Sequence, residues 1–154
     1  MKSKKRIIYI IGSLRNKNVP IIANKIRKIN KEWEIFDSWV APGPHADDYL
    51  RDYAKAKGLT YKETLKDWAA THIFAFDQKH IKRATDLVMV MPAGKSGHLE
   101  LGWGIGRGKR GYILFDKEPK RVDIMYQFAT DIFFNERELF KELKKLKKIK
   151  KILK

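Results

Sequence analysis

The sequence predicts an α/β fold in one domain, built on a mostly parallel five-stranded sheet. Two observations predict it. Short apolar runs that are rich in β-branched residues alternate along the chain with longer stretches of helical periodicity, which is the pattern of consecutive strand–helix–strand units. The length of 154 residues and the hydrophobic fraction of 44% suit a single domain with a buried core.

Five short apolar segments are predicted to be strands. The first, residues 6–11 (RIIYII), ends at Gly12, and the third, residues 87–91, ends at Pro92, which cannot continue a strand interior. In chain order the predicted strands are residues 6–11, 34–36, 87–91, 111–115 and 131–134.

The intervening segments are predicted to be helices. Residues 19–30 carry isoleucines at helical spacing, and Pro20 is tolerated in a first turn. Thr60 and Glu63 fit a capping box. In chain order, one helix is predicted over residues 19–30, one over 49–57, one or two over 60–84, one around Glu100 and a last one from about Asn135. Residues 40–48 are predicted to form a loop.

This order of elements is typical of a Rossmann-like or flavodoxin-like layer sandwich. In such sheets, ligands bind outside the carboxyl ends of the strands. Three segments that are rich in polar residues, glycine and proline follow predicted strands, at residues 12–16, 37–48 and 93–100. We therefore expect them to meet at one edge of the sheet and to form a functional site.

A net charge of +16 raises the question of polyanionic partners. We predict that residues 135–154 form a lysine-rich amphipathic helix on the domain of residues 1–134. Its leucines share or adjoin one face, at Leu139, Leu143, Leu146 and Leu153. A solvated lysine face is the favoured interpretation, while binding to nucleic acid or to a membrane surface is the less favoured one.

Composition also bounds the location and the cofactors. No apolar run approaches the roughly 20 residues that span a bilayer, so we expect no membrane association. The absence of cysteine suits a cytoplasmic protein and excludes thiolate metal sites. The histidines at positions 45, 72, 80 and 98 lack the spacing of metal ligands, so we predict neither a metal nor another cofactor.

The stretch of residues 91–109, MPAGKSGHLELGWGIGRGK, is the most informative part of the chain. It predicts a strand end, a turn of small residues over 93–97, and a helix with Glu100 in its first turn. A helix N-terminus suits an anionic ligand, and the adjacent carboxylate suggests chemistry on a sugar or sugar phosphate. Glycines at positions 102, 104, 106 and 108 indicate close packing of this helix or, for the last two, its end.

Three segments resemble the nucleoside 2-deoxyribosyltransferase-like family, which includes deoxynucleoside 5′-monophosphate N-glycosidases. They are IYIIGS (8–13), PAGKSGHLELGWGIGRGK (92–109) and DIMYQFATD (123–131). The resemblance implies that Glu100 attacks the anomeric carbon of the sugar and that Asp77 assists protonation of the leaving base. It also implies that Tyr9 orients the nucleophile.

The resemblance also implies residues that bind the substrate. Transferases of the family carry an aspartate where this chain has Gly94, whereas a serine of this loop binds the 5′-phosphate in the monophosphate hydrolases. Ser96, Lys95, Ser13 and Arg15 therefore favour a 5′-monophosphate. Gly12 and Gly97 complete these two loops.

Two residues late in the chain point to an assembly. Asp123 and Met125 match family residues that a neighbouring subunit contributes to the site, so the resemblance implies a homodimer or a larger oligomer. An aspartate near the 5′ end of the sugar would repel a phosphate, which is a signal against a monophosphate. Separately, Trp39 could stack on the base or cover the sheet edge.

The sequence thus predicts an enzyme that cleaves or exchanges the N-glycosidic bond of a 2′-deoxynucleoside or its 5′-monophosphate. Its mechanism would pass through a covalent ribosyl–glutamate intermediate. The alternative is a non-catalytic module that senses a nucleotide or binds nucleic acid through its basic surface.

Overall fold

The computed structural model describes residues 5–146. Its centre is a five-stranded sheet in the order β2-β1-β3-β4-β5, in which every neighbouring pair is parallel. The predicted α/β fold is confirmed. The strands are β1 (Ile7–Ile11), β2 (Glu34–Phe36), β3 (Asp86–Val90), β4 (Arg110–Leu114) and β5 (Asp131–Phe133).

Helices cover both faces of this sheet. They are α1 (Asn18–Arg27), α2 (Ala46–Ala56), α3 (Tyr61–Lys66), α4 (Trp68–Arg83), α5 (Lys95–Ile105) and α6 (Glu136–Lys144), with two short 3-10 helices at Ser38–Val40 and Ile124–Phe128. Helices α1 and α6 pack in the core on one face, and α4 and α5 pack in the core on the other. None of the described helices is both long and apolar enough to cross a membrane.

The region between β2 and β3 matches the predicted capping signals. Thr60 and Glu63 form the capping box at the start of α3, and Asp67 caps the start of α4 by accepting a hydrogen bond from the Ala69 N–H. The predicted loop over 40–48 is too long, because α2 already begins at Ala46. Asp47 and Asp48 lie in its first turn, where carboxylates favour helix formation.

The predicted turn over 93–97 is also too long. Helix α5 begins at Lys95, which places Glu100 in the second turn rather than the first. Gly97 is a helical residue that faces the sheet, and a Cβ atom there would lie 3.0 Å from Ile11 Cγ2. The small residues therefore let a helix approach β1 closely, and they do not form a turn.

The alternating glycines have more than one explanation. At Gly104 a Cβ atom would lie 2.2 Å from Leu87 Cδ1, so close packing against β3 requires glycine there. Gly106 caps the end of α5, and Gly108 follows with a positive φ of 77°. Gly102 satisfies neither interpretation, because nothing in the described chain lies within 4 Å of a Cβ atom at that position.

The final helix packs as predicted where it is described. Asn135 caps α6 by accepting a hydrogen bond from the Glu138 N–H, and Leu139 and Leu143 are fully buried. Leu146 packs against the same core. The predicted helix over 135–154 is too long, however, because α6 ends at Lys144 with Lys145 as its C-cap. Residues 147–154, including Leu153, lie outside the described residues.

The amino edge of the sheet is closed by a buried ion cluster. Asp86, at the start of β3, has no exposed surface and accepts hydrogen bonds from Arg6 and, at 2.7 Å, from Nε of Arg110. Arg6 directly precedes β1, and Arg110 begins β4, so the cluster joins the three central strands. The segments that the sequence predicts to form a functional site follow the opposite ends of the strands.

Candidate active site

Three side chains predicted to be catalytic lie together beside the β1–β3 boundary. Tyr9 from the middle of β1 donates a hydrogen bond to the carboxyl group of Glu100 on α5. Asp77 on α4 is close enough for its charge to act on both groups. The structure therefore brings together residues that are 91 positions apart at most, although their catalytic roles stay predictions.

Burial shifts the proton affinity of all three groups. It raises the pKa of Glu100 to about 7, where the Asp77 charge adds to the rise and the Tyr9 hydrogen bond opposes it. Burial also raises the pKa of Asp77 to about 6. The pKa of Tyr9 rises far above its usual value, because the phenol is buried beside two carboxyl groups, so Tyr9 remains a donor. Near neutral pH the two carboxyl groups can thus share one proton.

An aromatic stack holds Tyr9 in place. The Tyr9 ring packs on the Phe36 ring of β2, with 5.2 Å between their centroids. The His80 ring of α4 is nearly parallel to the Phe36 ring, with 3.9 Å between their centroids. Phe76 packs at a tilt against the rings of Phe36 and His80. Because the stack joins β1, β2 and α4, it fixes the phenol relative to the helix that carries Asp77.

Asn16 joins the two loops that the sequence analysis assigned to the substrate. Its Nδ2 donates to the carbonyl oxygens of Val90 and Pro92, both at 3.2 Å, while its Oδ1 accepts from the Asn18 N–H at 3.0 Å. The sequence places Asn16 in the predicted segment of residues 12–16, but no role was assigned to it. The available signal was an asparagine directly after Arg15 in the segment that follows the first strand, and its side chain is buried.

Gly12 and Trp39 pack tightly at the same edge. A Cβ atom on Gly12 would lie 2.4 Å from Val19 Cγ2. Trp39 donates from its indole N–H to the Ile10 carbonyl at 2.7 Å, just beyond the last β1–β2 pair, Tyr9 with Phe36. Of the two predicted roles for Trp39, this geometry fits the one in which it covers the sheet edge.

The N-terminus of α5 is open to an anionic ligand. Gly94 is its N-cap and has no side chain to occupy the first N–H groups. Lys95 and Ser96 are exposed in the first turn, whereas Gly97 is buried against β1. An oxyanion at this end would meet backbone N–H groups, a hydroxyl group and an ammonium group.

Arg15 has a different environment from the one predicted. Its two terminal nitrogens donate to Asp47 at 2.9 and 3.1 Å, and one of them also donates to Asp48 at 3.2 Å. Ser13 Oγ accepts from the Arg15 N–H at 3.2 Å, which stabilises the turn. The structure therefore places this predicted phosphate ligand among carboxylates, and the sequence analysis missed both aspartates.

Asp123 and Met125 lie on an exposed segment after β4. Asp123 Oδ1 accepts a hydrogen bond from the Met125 N–H at 3.0 Å. Asp123 also lines a cleft of about 510 Å³, together with Pro92 and Tyr126. No hydrogen bond or ion pair in the described part of the chain joins Asp123 to Tyr9, Asp77 or Glu100. The structure thus leaves both residues outside the group formed by those three side chains.

A histidine ties that segment to α5. His98 Nδ1 lies 2.9 Å from the Gly94 carbonyl oxygen, to which it must donate, so its Nε2 accepts from the Tyr126 hydroxyl at 3.0 Å. The sequence analysis gave His98 no role beyond lying near the site. Within residues 5–146, no group of three or more histidine and carboxylate side chains could hold a metal ion.

The fold is similar to those of two solved enzymes. The 2-deoxyribosyltransferase of Bacillus psychrosaccharolyticus matches with a TM-score of 0.56 and 14% identity, over 87% of this chain and 90% of that one. The CMP N-glycosidase BcmB of Clostridium botulinum matches with a TM-score of 0.51 and 13% identity, over 90% of this chain and 98% of that one. No protein-family model and no curated protein sequence matches the chain. The likeness confirms the fold that the sequence resemblance implied.

Proposed function

We propose that this protein cleaves or exchanges the N-glycosidic bond of a 2′-deoxynucleoside or its 5′-monophosphate, with Glu100 as the nucleophile. One observation carries the proposal: Glu100 is a half-buried carboxyl group that accepts a hydrogen bond from Tyr9, and Asp77 places a second half-buried carboxyl group close to it. The likeness in fold to a 2-deoxyribosyltransferase and a CMP N-glycosidase supports this class of reaction.

The proposed reaction has two steps. The Glu100 carboxylate attacks the anomeric carbon while the carbon–nitrogen bond breaks and its electron pair leaves with the base. Asp77 gives a proton to the departing base. Water or a second base then attacks the same carbon and releases Glu100, and Asp77 accepts the proton of the attacking group.

Tyr9 acts on the nucleophile. Its hydrogen bond favours the ionised form of Glu100 and so opposes the rise in pKa that burial causes. Because Tyr9 keeps its proton, it fixes one carboxylate oxygen and leaves the other for the sugar. The aromatic stack behind Tyr9 limits its movement.

The substrate would place its 5′ end at the N-terminus of α5. Lys95, Ser96 and the free N–H groups there suit a 5′-phosphate, or a 5′-hydroxyl through hydrogen bonds alone. Asp123 is a contrary signal if a neighbouring subunit brings it to this end.

Exposed apolar side chains support a homo-oligomer. Trp68 and Phe74 on α4 are 73% and 64% exposed, and Ile124, next to Asp123, is 69% exposed. Such patches are typical of protein–protein contacts. The resemblance implies that a second copy contributes Asp123 and Met125 to a neighbouring site, and Ile124 lies between these two residues.

The test is release of free base from a panel of nucleosides and 5′-monophosphates, with and without a second base. We expect release by the parent protein and its loss in Glu100→Ala. Glu118→Ala, which removes an exposed carboxylate, is the matched control and should keep the activity.

Each pattern of products has a distinct meaning. New nucleosides formed only with the second base identify a transferase, and release from monophosphates alone identifies a nucleotide hydrolase. Equal turnover by Glu100→Ala contradicts the mechanism. No release from any substrate, together with salt-dependent binding to DNA or RNA, favours the non-catalytic alternative.

A further inference from the structure

The loop after β1 adjoins the loop before α5. Asn16 donates to the Pro92 carbonyl, only two residues before Gly94 at the start of α5. Arg15 is the neighbour of Asn16, so its backbone lies at the same edge of the sheet as the site. Its guanidinium group is therefore a candidate for the 5′ end of a substrate that binds at the N-terminus of α5.

Arg15 is engaged by the N-terminus of α2. Asp47 binds both terminal nitrogens of its guanidinium group, and Asp48 binds one of them. The Arg15 hydrogen bond lowers the pKa of the Asp47 carboxyl group, so Asp47 is ionised at neutral pH. The geometry is the bidentate one that a phosphate group would also require.

The surroundings of this ion pair are acidic overall. Asp48 also contacts Arg51 and His45, and Arg51 contacts Asp52. Asp52 pairs with Arg51 and not with Arg15, so Asp47 and Asp48 set two carboxylates against the one guanidinium group of Arg15. A phosphate dianion that approaches Arg15 meets this excess of negative charge, whereas an uncharged 5′-hydroxyl does not.

We propose that Asp47 and Asp48 determine substrate specificity, by holding Arg15 and thereby favouring the unphosphorylated nucleoside over its 5′-monophosphate. This inference rests on the proposed function. The aspartates act through Arg15, because they compete with phosphate for the same two nitrogens. Both partners of the Arg15–Asp47 pair are half-exposed. The aspartates therefore weaken the binding of the monophosphate relative to that of the nucleoside, but they do not exclude it.

The decisive variant is Asp47→Asn, which loses the charge and keeps the size of the side chain. The measured quantity is kcat/KM for a 5′-monophosphate divided by kcat/KM for the matching nucleoside. We expect this ratio to rise by roughly fivefold to tenfold, since exposed ion pairs contribute modestly, and to rise further in Asp47→Asn/Asp48→Asn. Asp52→Asn removes the same charge from the same helix without touching Arg15, and the ratio should not change.

A second substitution tests whether Arg15 carries the effect. In Asp47→Asn/Arg15→Gln the gain should disappear, because no guanidinium group is left to bind phosphate. An unchanged or smaller ratio in Asp47→Asn overturns the proposal. So does a gain that persists without Arg15.

Binding separates this proposal from the proposed function. Calorimetry with Glu100→Ala protein would use 2′-deoxycytidine, its 5′-monophosphate and inorganic phosphate as probes. Tighter monophosphate binding after the Asp47→Asn substitution supports the role of the aspartates even if the parent releases no base. Equal binding overturns it, whatever the parent catalyses.

Discussion

At the scale of single residues, the site depends on two carboxyl groups whose proton affinities rise together. Burial raises the pKa of Glu100 to about 7 and that of Asp77 to about 6. The proposed mechanism needs Glu100 ionised and Asp77 protonated, which is the minor form of the singly protonated pair, because the higher pKa of Glu100 places the proton mainly there. Because the two groups interact, they titrate as a pair that holds one proton between these values.

We therefore predict a bell-shaped dependence of kcat/KM on pH, with its maximum between about 6 and 7. Asp77→Asn leaves Glu100 as the one titrating carboxyl group of the pair. The basic limb of the profile should then disappear, because asparagine cannot lose the proton that the pair holds, while kcat falls by roughly 10²-fold or more with the loss of the general acid. The check is kcat/KM from pH 4.5 to 9, with Asp52→Asn as a control that leaves both limbs in place. A basic limb that persists in Asp77→Asn contradicts the assignment of the shared proton to this pair.

Sequence reasoning reached Tyr9, Asp77 and Glu100 through a resemblance, and the structure places the three side chains together. It did not reach the partners of Arg15 or His98. Asp47 is 32 positions from Arg15, and Tyr126 is 28 positions from His98. Such pairs depend on how distant loops pack, and no local spacing encodes them.

At the scale of elements, periodicity and capping predicted most of the helices and strands. Thr60 with Glu63, and Asn135, mark helix starts because their side chains satisfy the first backbone N–H groups. The start of α5 was placed too late, because small residues that usually indicate a turn serve there to bring the helix against Ile11. Tertiary packing decided that boundary.

Two glycines of α5 should respond in opposite ways to alanine. Gly104→Ala forces a methyl group against the buried Leu87 side chain and should destabilise the fold by about 1–3 kcal/mol. Gly102→Ala meets no atom of the described chain and should stabilise it by up to about 1 kcal/mol through helix propensity. Urea unfolding of the two variants measures both effects. Equal destabilisation in the two variants would refute the packing explanation.

The junction of the two substrate loops depends on Asn16. Asn16→Asp keeps the oxygen that accepts from Asn18 but sets a carboxylate against the carbonyl oxygens of Val90 and Pro92. We expect kcat/KM for base release to fall by at least about tenfold, since small misplacements in a site are costly.

Asn30→Asp is the matched control for that variant. Its side-chain oxygen accepts from the Glu32 N–H at 2.9 Å, and an aspartate preserves this bond. Steady-state kinetics alongside thermal unfolding separate a local from a global effect. If Asn16→Asp keeps full activity, the junction does not position the site.

At the scale of the whole molecule, apolar residues remain exposed on two surfaces. One lies on α3 and α4, and the other lies on the segment of residues 122–128. We predict an oligomer in sedimentation velocity that dissociates in Phe74→Asp, in Ile124→Asp or in both. The variant that dissociates identifies the surface used. A parent protein that sediments as a monomer across the micromolar range contradicts the prediction.

The two edges of the sheet differ in their freedom to move. Arg6 and Arg110 hold the amino ends of β1, β3 and β4 around the buried Asp86, whereas the carboxyl ends continue into the loops of the proposed site. Local unfolding should therefore begin at the carboxyl ends of the strands, and it should become rarer along the strands toward the ion cluster. If the proposed function holds, the loops of residues 12–17 and 91–94 would be free to rearrange during turnover, because the register of the strands that precede them is fixed at the far end.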